Sequence, residues 1–281
     1  MSWLSIPPAR RRAGPLVVLG LAALFPLGSA SPASAAVHLH PVVVQRVVQA
    51  FDGQSGEGVE GPRTLSVHLS QPTRRGDLLI AAVDDGVVTS GMVHPQYLLN
   101  HWNLAVTTIG GETAHNGTGP YRTGGLQASI YFLADNPGGI VQVPVARVPN
   151  GTQATVTITI AELSGVPASL AVNATGTSTS GPKVADYTQR SSVTSTTATS
   201  ERPDLVVALF NNGGNSPEGE RYVTQRGWTL IGEDTSPTNE DQPILANFEV
   251  APHEGIVHEH ERYLGGYPID NCAVIVALVS S

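Results

Sequence analysis

The amino-acid sequence predicts an all-β protein: an antiparallel, jelly-roll-like β-sandwich with two pseudo-repeated halves. The main observation is an internal duplication. Asp77 leads into the apolar run 78–83, and Asp204, which lies 127 residues later, leads into the apolar run 205–210. The chain is also rich in turn formers, with 30 glycines and 21 prolines, and it has no long amphipathic pattern of helical period. Many short strands joined by turns account for these observations.

The duplication continues past the two apolar runs. Trp102-Asn-Leu is matched by Trp228-Thr-Leu at an offset of 126 residues. The runs are too short for buried helices and are flanked by turn residues, so we predict equivalent central strands that are covered on both faces. The repetition of Trp102 and Trp228 at matched positions favours packing in or against the core over stacking on sugar rings.

The other elements follow in chain order. Residues 36–48 form either a first strand or a mobile arm, and residues 64–69 alternate as a strand with aliphatic side chains inward. Residues 95–101 are the best helical candidate, because proline is favoured at the first helical position. Residues 155–160 alternate strictly between threonine and aliphatic residues, which is typical of a half-buried antiparallel strand. The apolar run 273–279 predicts a last central strand.

A segment rich in serine and threonine, residues 175–200, joins the two halves. Such a segment is either a flexible linker between two domains or a part of the sheets. Each half offers only four or five strong strand candidates, which are few for an independent sandwich. We therefore predict one domain over residues 36–281, with halves at about 50–174 and 184–281.

The N-terminus has the three regions of an export signal. Residues 10–12 are arginines, residues 15–28 are a short apolar run, and residues 33–35 offer a small-residue cleavage site. The apolar run is shorter than the ~20 residues of a membrane-spanning helix, so a signal peptide over 1–35 is favoured over a membrane anchor. We expect a secreted, extracellular protein with no stable membrane insertion after cleavage.

Charge and cysteine usage exclude several classes of protein. Loss of the three signal arginines leaves 12 basic and 23 acidic residues, a formal charge of −11. Because lysine and arginine form no cluster after the signal, the chain lacks the electrostatic footprint of a nucleic-acid binder. Cys272 is the only cysteine, which excludes an intramolecular disulfide, and its place in an apolar run indicates a buried, inert thiol.

Four motifs carry a resemblance to a known family. In chain order they are Gly76-Asp77-Leu78-Leu79, Trp102-Asn103-Leu104, the aromatic strand 130–134, and Glu162-Leu163-Ser164-Gly165. They resemble bacterial and phage-associated β-sandwich modules with the pattern GDLLV, GWTLV, YY-aliphatic, E-[YL]-SG. The match covers roughly residues 64–166 and departs from the pattern at Asn103 and Phe132. The resemblance implies a jelly-roll-like sandwich, and it implies no reaction, since the family has no agreed catalytic residues.

The polar segment 253–261 is the candidate metal site. His258 and His260 would share one face of a strand, and with His253 folded back they could bind Zn²⁺ or Cu²⁺. The H-E-x-x-H spacing of zinc proteases is missed, because His253 and His258 are five positions apart. The alternative is an exposed edge strand, whose charges block pairing with another sheet.

The candidate ligand site lies in the loops after the two matched runs, at 84–101 and 211–227. The duplication aligns Asp84-Asp85 with Asn211-Asn212, and oxygen ligands at loop bases suit Ca²⁺, although Asx residues beside glycine are also ordinary turn residues. His94, Tyr97 and His101 in the first loop can stack and hydrogen-bond with a ligand, and loops carry specificity on a rigid sandwich.

No constellation for covalent catalysis is evident in the sequence. Glu162 interrupts an apolar strand, and it is either one acid of a glycosidase pair or a partly buried acid bonded to a neighbouring loop. We expect a non-catalytic binding or surface protein with a carbohydrate or another cell-envelope ligand, and no cofactor apart from the Ca²⁺ or Zn²⁺ considered above. The alternative is an extracellular polysaccharide-active hydrolase or metal-dependent enzyme.

Overall fold

Strands make up most of the chain that the structure, a computed structural model, describes. The described residues are 39–51, 63–89, 96–98, 101–110, 124–148, 156–180, 188–195, 204–213, 221–234, 244–251, 255–264 and 270–281. Sixteen β-strands lie within them, and none of these residues is helical. The predicted signal peptide at 1–35 lies outside them.

Each half contributes eight strands. Those of the first half are β1 Val42–Phe51, β2 Arg63–His68, β3 Leu78–Thr89, β4 Gln96–Leu98, β5 Asn103–Gly110, β6 Gly124–Leu133, β7 Gln142–Val148 and β8 Val156–Ser164. Those of the second half are β9 Leu170–Ser180, β10 Thr188–Thr194, β11 Asp204–Gly213, β12 Arg221–Val223, β13 Thr229–Asp234, β14 Ile244–Ala251, β15 His258–Leu264 and β16 Asp270–Ser280. Each half has more strands than the four or five strong candidates in its sequence, because several of these strands are short or polar.

The two halves have the same topology. In the first half, the strands β1-β8-β3-β6-β5 form a five-stranded sheet, inner sheet I, and β2-β7-β4 form a three-stranded sheet, outer sheet I. In the second half, β9-β16-β11-β14-β13 form inner sheet II, and β10-β15-β12 form outer sheet II. The pairings within these sheets are antiparallel. Each strand thus corresponds to the strand eight places later, and the predicted all-β architecture of two similar halves is confirmed.

The sheets pack around three apolar cores. The two inner sheets face each other around a central core, to which alternate residues such as Leu78 on β3 and Leu205 on β11 contribute. Outer sheet I covers the other face of inner sheet I, where Val143 is buried. Outer sheet II covers inner sheet II in the same way, where Val193 is buried. The central strands β3 and β11 are therefore covered on both faces, as their continuous apolar sequence predicted.

The two tryptophans lie at the outer cores. Trp228 is buried in the core under outer sheet II, and Trp102 packs, partly buried, against the core under outer sheet I. The prediction that both contact the core is confirmed. Residues Ala36–Ser281 form one compact unit.

The predicted helix at 95–101 is wrong. Gln96–Leu98 form strand β4, which pairs with β7. A single helical turn would leave most of its backbone groups without partners, whereas pairing with β7 satisfies them. His101, at the end of the predicted helix, has a φ of 68°, which a right-handed helix does not allow.

The expectation of a half-buried strand at 155–160 is also wrong. Val156, Ile158 and Ile160 on β8 face outer sheet I, as the alternation predicted. Thr157 and Thr159 on the other face are buried as well, because that face of inner sheet I meets inner sheet II. The alternating threonines, a pattern typical of a solvent-exposed face, therefore lie at the interface between the two inner sheets.

The serine- and threonine-rich segment is largely part of the sheets. Residues up to Ser180 belong to β9, which pairs with β16, and Thr188–Thr194 form β10. At the other end of the chain, β1 shows that the described part of segment 36–48 includes a strand and is not an arm. Within the described ranges, no helix is long and apolar enough to cross a membrane.

Candidate functional site

Asp84 and Asn211, which the duplication aligns, contact each other in the central core. Asn211 Nδ2 donates a hydrogen bond to Asp84 Oδ1 and a second, of 3.3 Å, to the backbone oxygen of Gln127. Asp84 is 1% exposed and Asn211 is fully buried. The strands continue past both residues, to Thr89 and Gly213, so neither residue ends a strand or forms a turn as the sequence indicated. The side chains of the neighbouring Asp85 and Asn212 lie outside the described part of the chain.

Two further side chains complete this polar layer. Thr157 lies opposite Asp84 in inner sheet I, and Cys272 lies opposite Asn211 in inner sheet II. Burial, and then the negative charge of Asp84, raises the pKa of the Cys272 thiol well above its ordinary value. The predicted buried thiol is therefore confirmed. The oxygens Asn211 Oδ1 and Thr157 Oγ1 have no hydrogen-bond partner in the described part of the chain.

Glu162 is a structural acid that fixes a loop. Its Oε2 accepts a hydrogen bond of 2.6 Å from Gln45 Nε2, and its Oε1 accepts one of 2.5 Å from the backbone N–H of Arg74. Gln45 in turn holds the same loop, because its Oε1 accepts hydrogen bonds from Ser70 and Gln71. Both carboxylate oxygens of Glu162 thus bind the chain itself, as the second interpretation from the sequence proposed.

Two of the four motifs of the family resemblance, those of Asp77 and Glu162, meet at this loop. Burial, and then the charge of Glu162, raises the pKa of Asp77. Gly76 and Gly165 adopt φ values of 86° and 74°, a region that favours glycine. A Cβ at Gly165 would also clash with the backbone oxygen of His40. Loop geometry thus accounts for the described residues of the G-D and E-L-S-G motifs, and no catalytic role is needed to explain them.

The candidate metal site is only partly described. His258 is exposed on β15, and its Nδ1 lies 2.8 Å from Thr194 Oγ1. His260 is described by its backbone alone, opposite Ser192, and His253 lies outside the described residues. Among the described side chains, no three of His, Cys, Asp or Glu form a group that could hold a metal ion. The zinc hypothesis for His253, His258 and His260 remains a prediction.

The alternative interpretation of this segment, an exposed edge strand, is wrong. β15 lies between β10 and β12 in outer sheet II. It pairs with β10 along its whole length and with β12 over Arg262–Leu264. β15 is therefore the middle strand of outer sheet II, although residues 258–261 pair on the β10 side alone within the described part of the chain.

Glu259 is a buried acid that the sequence analysis did not single out. Its side chain is 0% exposed, between β15 and inner sheet II. Asn247 Nδ2 on β14 donates a hydrogen bond of 2.6 Å to its Oε1, and its Oε2 has no partner among the described residues. Burial raises the pKa of Glu259 to about 8, the bond from Asn247 opposes this, and the charge of Glu249 adds to it. The available sequence signal for Glu259 was its alternation with His258 and His260, but alternation does not tell which face of the strand is buried.

The first candidate loop, 84–101, is partly a strand. Tyr97 is the middle residue of β4, one of the two edge strands of outer sheet I. Tyr222 is the middle residue of β12, the corresponding edge strand of outer sheet II. His101 is exposed next to Trp102, and His94 lies outside the described residues. The duplication therefore places a tyrosine at the same backbone position of both outer edges, a match that the sequence analysis missed because it crosses two dissimilar loops.

Comparisons of this chain with protein-family models, with curated proteins and with solved structures find no match.

Proposed function

We propose that this protein is a secreted, non-catalytic binding or surface protein whose ligand is a carbohydrate or another polymer of the cell envelope. The observation that carries the proposal is the tyrosine repeated on the edge strands of the two outer sheets, Tyr97 and Tyr222. A tyrosine offers an apolar ring for stacking and a hydroxyl for hydrogen bonding, which suits a sugar. Two equivalent positions on one rigid body would bind repeating units of one polymer with added avidity.

The roles of the acidic residues support a binding function over catalysis. Glu162, the acid that best fitted a glycosidase from the sequence, binds Gln45 and the Arg74 backbone through both oxygens. Asp84 is buried against Asn211 in the central core. Secretion is supported by the three-part export signal in residues 1–35.

The test is a glycan-array and cell-wall binding screen with the protein that begins at Ala36. For a ligand found in this screen, we expect Tyr97→Ala and Tyr222→Ala each to weaken binding about tenfold, as for a central aromatic contact. The double variant should lose most of the avidity. Asn212→Ala tests the loop base in the same assay, and Val42→Ala, which removes an exposed side chain on β1, is the matched control. Unchanged binding by the double tyrosine variant would exclude this site.

One observation favours the alternative, an extracellular polysaccharide-active hydrolase. Glu249 and Glu259 are two acids close enough for the charge of one to raise the pKa of the other, and a pair of carboxyl groups is what glycoside hydrolysis requires. However, Glu259 is 0% exposed, so a polymer does not reach it in this conformation. Release of reducing ends from a polysaccharide by the wild-type protein, and its loss in Glu249→Gln, would establish the hydrolase and overturn the non-catalytic proposal.

A further inference from the structure

The edge strands of the two inner sheets meet on two sides of the molecule. Inner sheet I is bounded by β1 and β5, and inner sheet II by β13 and β9. β1 packs against β13, and β5 packs against β9, so each side of the sandwich brings together one edge of each inner sheet. We call them the β1–β13 side and the β5–β9 side. Within the described ranges, no further strand extends either inner sheet beyond these edges.

The β1–β13 side is charged. Arg46 lies on β1, and its Nη1 donates a hydrogen bond of 3.0 Å to the backbone oxygen of Leu230 on β13. β13 ends in Glu233 and Asp234. Charged side chains on an edge strand oppose its pairing with a strand of another molecule. This side therefore has the protection that exposed sheet edges commonly carry.

The β5–β9 side has neither charge nor proline. The eight residues of β5 and the eleven of β9 include no Asp, Glu, Lys, Arg or Pro. Large aliphatic side chains are exposed on both strands, with Leu104 at 50%, Ile109 at 45% and Val172 at 42%. Beyond a bulge near its start, β5 pairs with β6 without interruption over residues 106–110. β5 therefore presents a regular, uncharged strand edge.

The duplication shows that the two halves differ at equivalent positions of these edges. Both β5 and β13 have a bulge after their second residue. The fifth residue of the strand is Thr107 in β5 and Glu233 in β13, and the sixth is Thr108 in β5 and Asp234 in β13. Thr107 is exposed, and its Oγ1 lies 2.7 Å from Ser129 Oγ on β6. The first half thus has uncharged threonines where the second half has two acids.

We propose that β5 is the surface through which two copies of this chain associate. An edge strand presents backbone N–H and C=O groups that another extended strand satisfies, so the partner that fits β5 is a strand. Antiparallel pairing of β5 with β5 of the second copy, about a two-fold axis, continues inner sheet I from one copy into the other.

Charge selects a second copy and its orientation. Without residues 1–35 the chain has 12 basic and 23 acidic residues, a formal charge of −11, so two copies repel each other in most orientations. Contact through the uncharged β5 avoids close pairs of like charges. A two-fold arrangement also brings Leu104 and Ile109 of one copy against the same residues of the other. One strand pair is small beside the ~800 Å² per partner of a standard interface, so the dimer is reversible, with a dissociation constant on the order of 10 µM.

The test is analytical ultracentrifugation of the protein that begins at Ala36, from about 1 µM to about 200 µM, a range that spans this dissociation constant. We expect the mass to rise from one chain to two. Thr107→Glu, which gives β5 the acid of β13, should weaken association at least about tenfold, because like charges face each other across the strand pair. Thr107→Gln is the uncharged control, and Val42→Glu adds the same charge to an exposed position of β1. Both controls should associate within about twofold of the wild type.

The mass of a single chain at every concentration, growth beyond two chains, or unchanged association of Thr107→Glu would overturn the proposal. Hydrogen exchange of the wild type supplies a measurement that does not depend on the folding of a variant. Protection of β5 should increase several-fold between the lowest and the highest concentration, while that of β13 stays constant. No change in β5, or an equal change in β13, would exclude β5 as the contact.

Discussion

Asn211 donates a hydrogen bond to Asp84, which occupies the equivalent position in the other half of the molecule. The pair joins β3 to β11, the middle strands of the two inner sheets, and it lies in the central core beside Thr157. A buried carboxylate depends strongly on its donors, because water cannot replace them. The two inner sheets must therefore be aligned so that Asn211 reaches Asp84.

We expect Asn211→Leu to lower the free energy of unfolding by about 3–5 kcal/mol, because it removes a donor from the buried Asp84. Asp84→Leu should cost less, about 1–3 kcal/mol, since it removes one of the two acceptors of a neutral amide. The double variant should be more stable than the sum of the two losses indicates. Urea unfolding at pH 7 measures all three, and strictly additive losses would show that the two residues are not coupled.

Gly165→Ala should destabilise the protein through both backbone strain and a clash. The residue has a φ of 74°, and a Cβ would meet the backbone oxygen of His40. Gly139→Ala is the matched control, because its φ of 77° is similar and a Cβ there has open space. We expect a loss of about 1–2 kcal/mol in the control, from the left-handed conformation alone, and a clearly larger loss in Gly165→Ala. Equal losses in thermal or urea unfolding would contradict the clash.

Cys272 should not react with a thiol reagent in the folded protein at pH 8. The residue is 0% exposed, and its pKa is raised by burial and by Asp84, so neither access nor thiolate is available. Labelling should appear only under unfolding conditions and should follow the unfolding transition. Fast labelling in buffer, with the folded state verified by circular dichroism, would contradict the packing of the central core.

Val143→Glu should make the stability of the protein depend on pH through a carboxyl group buried under outer sheet I. The new carboxyl would lie between outer sheet I and inner sheet I, in the core that includes Tyr131, and without the amide donor that Asn247 supplies to Glu259. We expect destabilisation at every pH, by several kcal/mol, and a further loss as the pH rises above the ordinary range of a carboxyl group. Val143→Gln is the control, since it is polar and does not titrate. A pH profile shared by both variants would show that polarity and not charge is responsible.

Local sequence patterns predicted the strands that pack on both faces. The runs that became β3 and β11 are continuously apolar, and Trp102 and Trp228 follow them at matched offsets, so equivalence and burial could be inferred without a partner strand. The outer strands were harder to infer. β4 and β12 contain three residues each, and their hydrogen bonds to β7 and β15 are long-range, so local sequence carries little sign of them.

The polar residues show why the candidate site was less predictable than the fold. Asp84 and Asn211 beside glycines have the sequence of a turn, and their contact depends on how two sheets stack, which a single strand pattern does not encode. Thr157 and Glu259 alternate with neighbours in the manner of solvent-facing residues. Each faces a second layer of the same chain, which comes from the other half for Thr157 and from inner sheet II for Glu259. Tertiary context determines these environments.

Covalent fusion of the halves has a consequence for the contact between Asp84 and Asn211. If two identical subunits met with the same geometry, the two-fold axis relating them would place Asp84 of one subunit against Asp84 of the other. An aspartate would then face an aspartate, and two carboxylates at that distance repel unless they share a proton. Joined in one chain, the two positions are encoded separately, so one can be an acid and the other a donor. Because Asn211 is an amide where the other half has Asp84, the two similar halves can hold a buried acid between them.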